Sequence, residues 1–173
     1  IGAKGARLTQ EVSLPGRFVV LIPNSRTYGI SKRLPDDTRK RLRNILDRVK
    51  PEQHGLIVRT AAEHATVADL EADMRLLLDQ WAEIERKAEL LASGLRLGND
   101  PGLAVSLQDD MSQTGGGALP TGKLPTRVVA VSHKSMSANH IESKLRLGRP
   151  AIITRIKEGM VLFDPRTLND GEI

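Results

Sequence analysis

The chain has no cysteine in its 173 residues. That excludes disulfides, thiolate metal sites and a cysteine nucleophile, and it fits a reducing, cytoplasmic setting. Aromatic residues are scarce, with one Trp, one Tyr and two Phe, so Leu, Ile and Val must build the core. No apolar run approaches the 18 or so residues of a membrane-spanning helix, and no membrane partner is expected. The histidines His54, His64, His133 and His140 show no metal-ligand spacing with one another, and no metal site is expected. A start methionine is also lacking. Ile1 is followed by no signal-peptide pattern, which points to an excised or reassembled segment or to a processed start.

What is present is positive charge, unevenly placed. Residues 1–65 hold 13 Lys/Arg against 6 Asp/Glu, whereas residues 66–173 hold 13 against 15. The asymmetry suits a polyanionic partner for the first part, although a solvated basic surface has the same balance. The length allows one large domain or two small ones.

One run organises the chain. Over residues 66–97 the apolar positions are Val67, Leu70, Met74, Leu77, Trp81, Ile84, Ala88, Leu91 and Leu95. Steps of three and four keep them on one side of an α-helix about 45 Å long. Thr66 with Asp69 gives the N-terminal signal, and Gly98 with Pro101 the stop. Before it, Phe18-Val19-Val20-Leu21-Ile22 reads as a buried strand ended by Pro23. Pro35, at a first helical position, and Asp36-Asp37 then open a helix with Leu42, Ile45, Leu46 and Val49 inside and Arg39, Lys40, Arg41 and Arg43 opposite. Gly55-Leu56-Ile57-Val58-Arg59 reads as a second strand.

After the long helix, residues 103–107 and 127–132 read as strands around a polar, glycine-rich stretch at residues 109–123. Ser137 caps a short helix with Ile141, Leu145 and Leu147 inside, and residues 151–156 and 160–163 flank a Glu158-Gly159 hairpin turn. The expected fold is α+β: two small α/β-sandwich-like halves, β-α-β-α and then α-β-β-α-β-β, sharing one long central helix. The halves are taken as residues 1–83 and 84–173, with the join between about Gln80 and Leu91.

Four stretches of the first half carry a specific resemblance. Lys4-Gly5-Ala6-Arg7-Leu8-Thr9, Ser13-Leu14-Pro15-Gly16-Arg17, Gly29-Ile30-Ser31-Lys32-Arg33 and Gly55-Leu56-Ile57-Val58-Arg59-Thr60-Ala61-Ala62-Glu63 resemble the ribonuclease E/G family in order and spacing. They correspond to the end of its S1 RNA-binding domain and to its 5′-sensor. The resemblance implies that Arg59 and Thr60 hold an RNA 5′-monophosphate, that Gly16 and Val20 lie beside the first nucleotide, and that Lys4 contacts RNA. Lys32 stands where many members carry an arginine, and Arg33 is a candidate for the same role. The chemistry is consistent: a terminal phosphate is a compact dianion, and a guanidinium meets two of its oxygens with parallel hydrogen bonds. A bland alternative pairs Arg59 with Glu63 or a helix C-terminus. The family's Mg²⁺-binding acids and zinc-linking cysteines have no counterpart here, so this half is expected to bind RNA ends without cutting, and no catalytic residue is assigned.

The second half resembles the C-terminal segment of bacterial L-seryl-tRNA(Sec) selenium transferase (selenocysteine synthase). The residues that carry this are Ser112-Gln113-Thr114-Gly115-Gly116-Gly117-Ala118-Leu119-Pro120, Leu124-Pro125-Thr126, Ser137-Ala138, Leu145-Arg146-Leu147-Gly148-Arg149-Pro150 and Phe163-Asp164-Pro165-Arg166-Thr167-Leu168. The resemblance implies a tRNA-related enzyme that uses pyridoxal phosphate on a lysine in a large preceding domain, and it places the loop 113–119 near that domain's active site. That domain has no counterpart here, so pyridoxal phosphate is expected only if a partner supplies it.

Residues 117–123 match P-loop spacing, but Leu124 replaces the Mg²⁺-binding Ser/Thr and Pro125 opposes the helix start. Ser132-His133-Lys134 resembles a pyridoxal-lysine context at the wrong place for that family. Asp109-Asp110 reads as a solvated turn.

The functional expectation is an RNA-binding fusion or chimera that recognises 5′-monophosphate ends, not an enzyme by itself. One alternative is a component of a pyridoxal-phosphate-dependent selenium transferase that acts on seryl-tRNA. Another is a structural module forming a homo-oligomer through the long helix.

Overall fold

A computed structural model of the chain describes residues 12–113, 123–168 and 171. Among these residues it is α+β, with three α-helices and two four-stranded sheets. The chain divides into two compact units, Ile1–Leu78 and Asp79–Ile173. No helix among the described residues is long and apolar enough to cross a membrane.

The first unit contains β1 (Leu14–Pro15), β2 (Val19–Ile22), β3 (Tyr28–Ile30), α1 (Asp36–Val49), β4 (Gly55–Val58), a 3-10 turn at Thr60–Ala62 and the start of α2 (Val67–Leu97). Its sheet runs β1-β2-β4-β3, with β3 and β4 parallel and the other pairs antiparallel. Strand alternation decides what is buried. Leu14, Leu21 and Leu56 stand in register across the sheet and are buried, as are Val19 and Val58. The intervening pair Val20 and Ile57 faces outward, with Ile57 37% exposed.

Only two of these four strands are foreseen by the sequence pattern. β1 and β3 have two and three residues, too few to display alternation. Their pairing with β2 and β4, rather than a local signal, makes them strands. The observed order is therefore β-β-β-α-β-α, not β-α-β-α.

Pro35 occupies the N-cap of α1 rather than its first helical position, and Asp36 and Asp37 fill the first turn. Leu42 and Leu46 are buried. Part of the basic face is structural. Arg41 donates to the carbonyls of Glu63 (2.8 Å) and Ala65 (2.9 Å), and Arg39 pairs with Asp36.

The start of α2 is a reciprocal capping box. Thr66 Oγ1 accepts from the Asp69 N–H at 3.2 Å, and Asp69 Oδ2 accepts from the Thr66 N–H (2.9 Å) and hydroxyl (2.7 Å). These bonds to the charged form hold the Asp69 carboxyl below its ordinary pKa. The apolar stripe is real: Leu70, Met74, Leu77, Trp81 and Ala88 are each at most 3% exposed. Val67, in the first turn, departs from it at 45%.

The second unit continues α2 into β5 (Leu103–Gln113), β6 (Lys123–His133), α3 (Ala138–Leu147), β7 (Arg155–Lys157), β8 (Met160–Phe163) and a 3-10 turn at Pro165–Thr167. This is the expected α-β-β-α-β-β order. Its antiparallel sheet runs β5-β6-β8-β7. Ala88 and Ala92 of α2 pack with Val129, Val131, Val161 and Phe163. Val128, Ala130 and Leu162 form a second buried cluster.

Three expectations need correction here. Asp109 and Asp110 belong to β5, not to a turn. The Asp110 side chain is 12% exposed and meets Lys157 Nζ at 2.9 Å and an Arg155 guanidinium nitrogen at 3.4 Å. Burial alone would raise its pKa, but the Lys157 hydrogen bond, the Met111 N–H and the Lys157 and Arg155 charges bring it below the usual value. Leu147, expected inside, is 80% exposed; at about 100° per residue it sits on the opposite side of α3 from Ile141 and Leu145. The hairpin strand before the Glu158-Gly159 turn begins only at Arg155. The turn itself is as expected, with φ of 51° at Glu158 and 75° at Gly159, the positive pair that two-residue hairpins demand.

Candidate functional site

The sequence-expected site residues gather at one end of the first sheet. β3 and β4 run parallel, with Ile30 beside Val58, so the residues that follow them, Lys32-Arg33 and Arg59-Thr60, leave the sheet together. The Ser31 N–H donates to the Val58 carbonyl at 3.0 Å and holds this exit closed. β2 runs the other way, with Val19 beside Val58, so the segment before it returns to the same end. There the Arg59 N–H donates to the Phe18 carbonyl at 2.8 Å.

This topology brings Gly16, Val20, Lys32, Arg33, Arg59 and Thr60 to one region. Arg59, Thr60, Lys32 and Arg33 are exposed, and Gly16 and Val20 are partly so. Arg59 follows Ile57 by two residues, on the outward side with Val20, the cross-strand neighbour of Ile57. Its Nη1 donates to the Gly16 carbonyl at 2.5 Å. The guanidinium therefore has a fixed partner in Gly16, not the Glu63 pairing of the bland alternative. One N–H engaged in this way still leaves a planar fork able to meet two oxygens of an anion. Lys4 lies outside the described residues.

Sequence reading missed Asp73 on α2. Its carboxylate accepts from three successive backbone N–H groups: Arg17 to Oδ1 at 3.0 Å, and Phe18 and Val19 to Oδ2 at 2.7 and 3.0 Å. Gly16 is needed where it stands, because a Cβ there would fall 2.6 Å from Asp73 Oδ2. The signal was available. Position 73 lies between Leu70 and Leu77 on the apolar stripe, where an unpartnered acid is costly.

A sequence model of the Ribonuclease E/G family matches residues 13–119, which include every described residue of this region. The chain belongs to the ribonuclease E/G family. It is 36% identical over 111 residues to ribonuclease E of Nostoc sp., covering 64% of this chain and 16% of that protein. Against ribonuclease G of Escherichia coli it is 39% identical over 89 residues, covering 50% and 18%. It is also 38% identical over 95 residues to L-seryl-tRNA(Sec) selenium transferase of Aquifex aeolicus, covering 55% and 21%. The chain thus spans only about a fifth or less of the length of these ribonuclease E/G and selenium transferase relatives.

In the second unit, Gln113 ends β5, and residues 114–119 of the loop tied to selenium transferase lie outside the described residues. So does most of the P-loop-like stretch, of which Lys123 begins β6. His133 ends β6 with Nε2 3.3 Å from Asp100, and the exposed Lys134 donates its N–H to the Gly102 carbonyl. His54 Nδ1 accepts from the Asn24 N–H at 3.1 Å, and His64 and His140 are exposed. Among the described residues no three His, Cys, Asp or Glu side chains gather as a metal-binding group.

Proposed function

We propose that the first unit binds RNA by its 5′-monophosphate end. Arg59 takes two oxygens of the terminal phosphate, the Thr60 hydroxyl donates to a third, and Gly16 and Val20 flank the first nucleotide. The observation that carries this reading is the exposed guanidinium held by the Gly16 carbonyl beside an outward apolar pair, Val20 and Ile57. A cation adjoining a small apolar shelf suits a phosphate adjoining a base. Lys32 and Arg33, leaving the sheet at the same end, add positive charge along the strand's path. The unit acts as a binding module and does not itself cut RNA.

The deciding comparison is the affinity for one RNA sequence carrying a 5′-monophosphate or a 5′-hydroxyl. The monophosphate form is expected to bind more tightly, with that preference abolished in Arg59→Ala. Equal binding of the two RNAs by the unaltered chain would refute the reading.

A second reading is favoured by the identity to selenium transferase. In it the second unit serves a pyridoxal-phosphate enzyme whose catalytic domain, with the cofactor lysine, comes from another chain. The chain alone is then expected to form no Schiff base with pyridoxal phosphate. A stable Schiff-base absorbance from the chain alone would contradict that division of labour.

A further inference from the structure

The geometry points to Asp73 as a positioning residue for 5′-phosphate recognition, acting through the loop that orients Arg59; this rests on the reading of Arg59 as the phosphate ligand. Asp73 need not touch RNA to do so. Gly16 itself has no side chain with which to fix the shape of the loop at residues 16–18. The loop backbone is tied at two ends: the Gly16 N–H donates to the Val19 carbonyl at 2.8 Å, and the Arg17, Phe18 and Val19 N–H groups converge on the Asp73 carboxylate. Hydrogen bonds to an ionised acceptor are the stronger class. Successive N–H groups aimed at one point also form a concavity that an anion fills. Here the anion is built into α2.

The shape thus imposed presents the Gly16 carbonyl to Arg59 Nη1 and the Phe18 carbonyl to the Arg59 N–H. The main chain and the guanidinium of Arg59 are both referenced to a loop that Asp73 sets. A long, flexible side chain loses entropy when it grips a ligand, and prior orientation reduces that cost. A second consequence concerns selectivity. With its three N–H donors already occupied, the loop offers no competing anion pocket, so an RNA phosphate is directed to Arg59 and Thr60.

Two substitutions test this. Asp73→Asn keeps the shape but turns an N–H₂ toward one of the donors. Gly16→Ala leaves Asp73 intact but drives a methyl into its carboxylate. Each is measured for binding of 5′-monophosphate and 5′-hydroxyl RNA of one sequence, and for amide hydrogen exchange at Phe18 and Val19. In both variants these amides are expected to exchange faster and the monophosphate preference to fall about tenfold; in Asp73→Asn, which alters no residue beside the nucleotide, 5′-hydroxyl binding holds. The double variant is expected to lose less than the two single losses combined, because both break one contact. If the unaltered chain prefers the monophosphate and both variants retain that preference with loosened amides, Asp73 is not a positioning residue, yet Arg59 keeps its role. If the unaltered chain shows no preference, the phosphate reading itself fails and the inference falls with it.

Discussion

Arg59 Nη1 reaches across the sheet to the Gly16 carbonyl at 2.5 Å, joining residues 43 positions apart in the chain. The arginine side chain is thereby tied to Gly16 rather than to Glu63. Replacing Arg59 with Lys preserves charge but loses the planar fork. We expect Arg59→Lys to keep part of the overall RNA affinity and to lose most of the monophosphate preference. Parallel titrations of the two RNA forms check this, and full retention would show that a point charge suffices.

The capping box makes the start of α2 sensitive to acid. Asp69 titrates below the ordinary carboxylate range because its ionised form accepts the Thr66 N–H and hydroxyl. A carboxyl whose folded pKa is depressed contributes stability above its unfolded pKa and loses it as pH falls through the folded one. Melting temperature should therefore decline on acidification, with a smaller decline in Asp69→Asn over the range where Asp69 protonates. Identical acid profiles for the two proteins would rule out this contribution.

Thr126 is fully buried, and its hydroxyl donates to Asp164 Oδ1 at 2.7 Å, while Ser112 donates to the other carboxylate oxygen. Thr126→Val keeps the volume but removes one donor from a carboxylate that is 8% exposed. We expect a loss of about 1–3 kcal/mol, read from chemical denaturation. No loss would mean that Asp164 is satisfied without it.

The Glu158-Gly159 turn places Glu158 at a φ of 51°, a conformation that asparagine tolerates better than glutamate. Glu158→Asn should stabilise the protein by about 0.5–1 kcal/mol. Destabilisation would mean that the glutamate side chain has a role its backbone angle does not reveal.

These residues also show what the sequence could and could not convey. The capping box and the stripe of α2 are local, repeated signals, and they were legible from Thr66 to Leu95. The Glu158-Gly159 turn was legible because only a few residue pairs suit two successive positive φ values. β1 and β3 were not, since two or three residues become a strand only by pairing with distant partners. Asp109-Asp110 looked like a turn because Lys157 and Arg155, which hold Asp110 in place, lie more than 40 residues away. The candidate site divides the same way. Its cations could be named from motifs, whereas Asp73 acts through backbone N–H groups, which no side-chain motif records.

We propose recognition of the 5′-phosphate by Arg59 and its neighbour Thr60. Its most direct test is a competition between 5′-monophosphate and 5′-hydroxyl RNA of identical sequence, for the unaltered chain and for Arg59→Ala. A charge-assisted pair of hydrogen bonds implies a preference of about 10- to 100-fold in the unaltered chain and none in the variant. Equal affinities in the unaltered chain, or a preference that survives in Arg59→Ala, would contradict it.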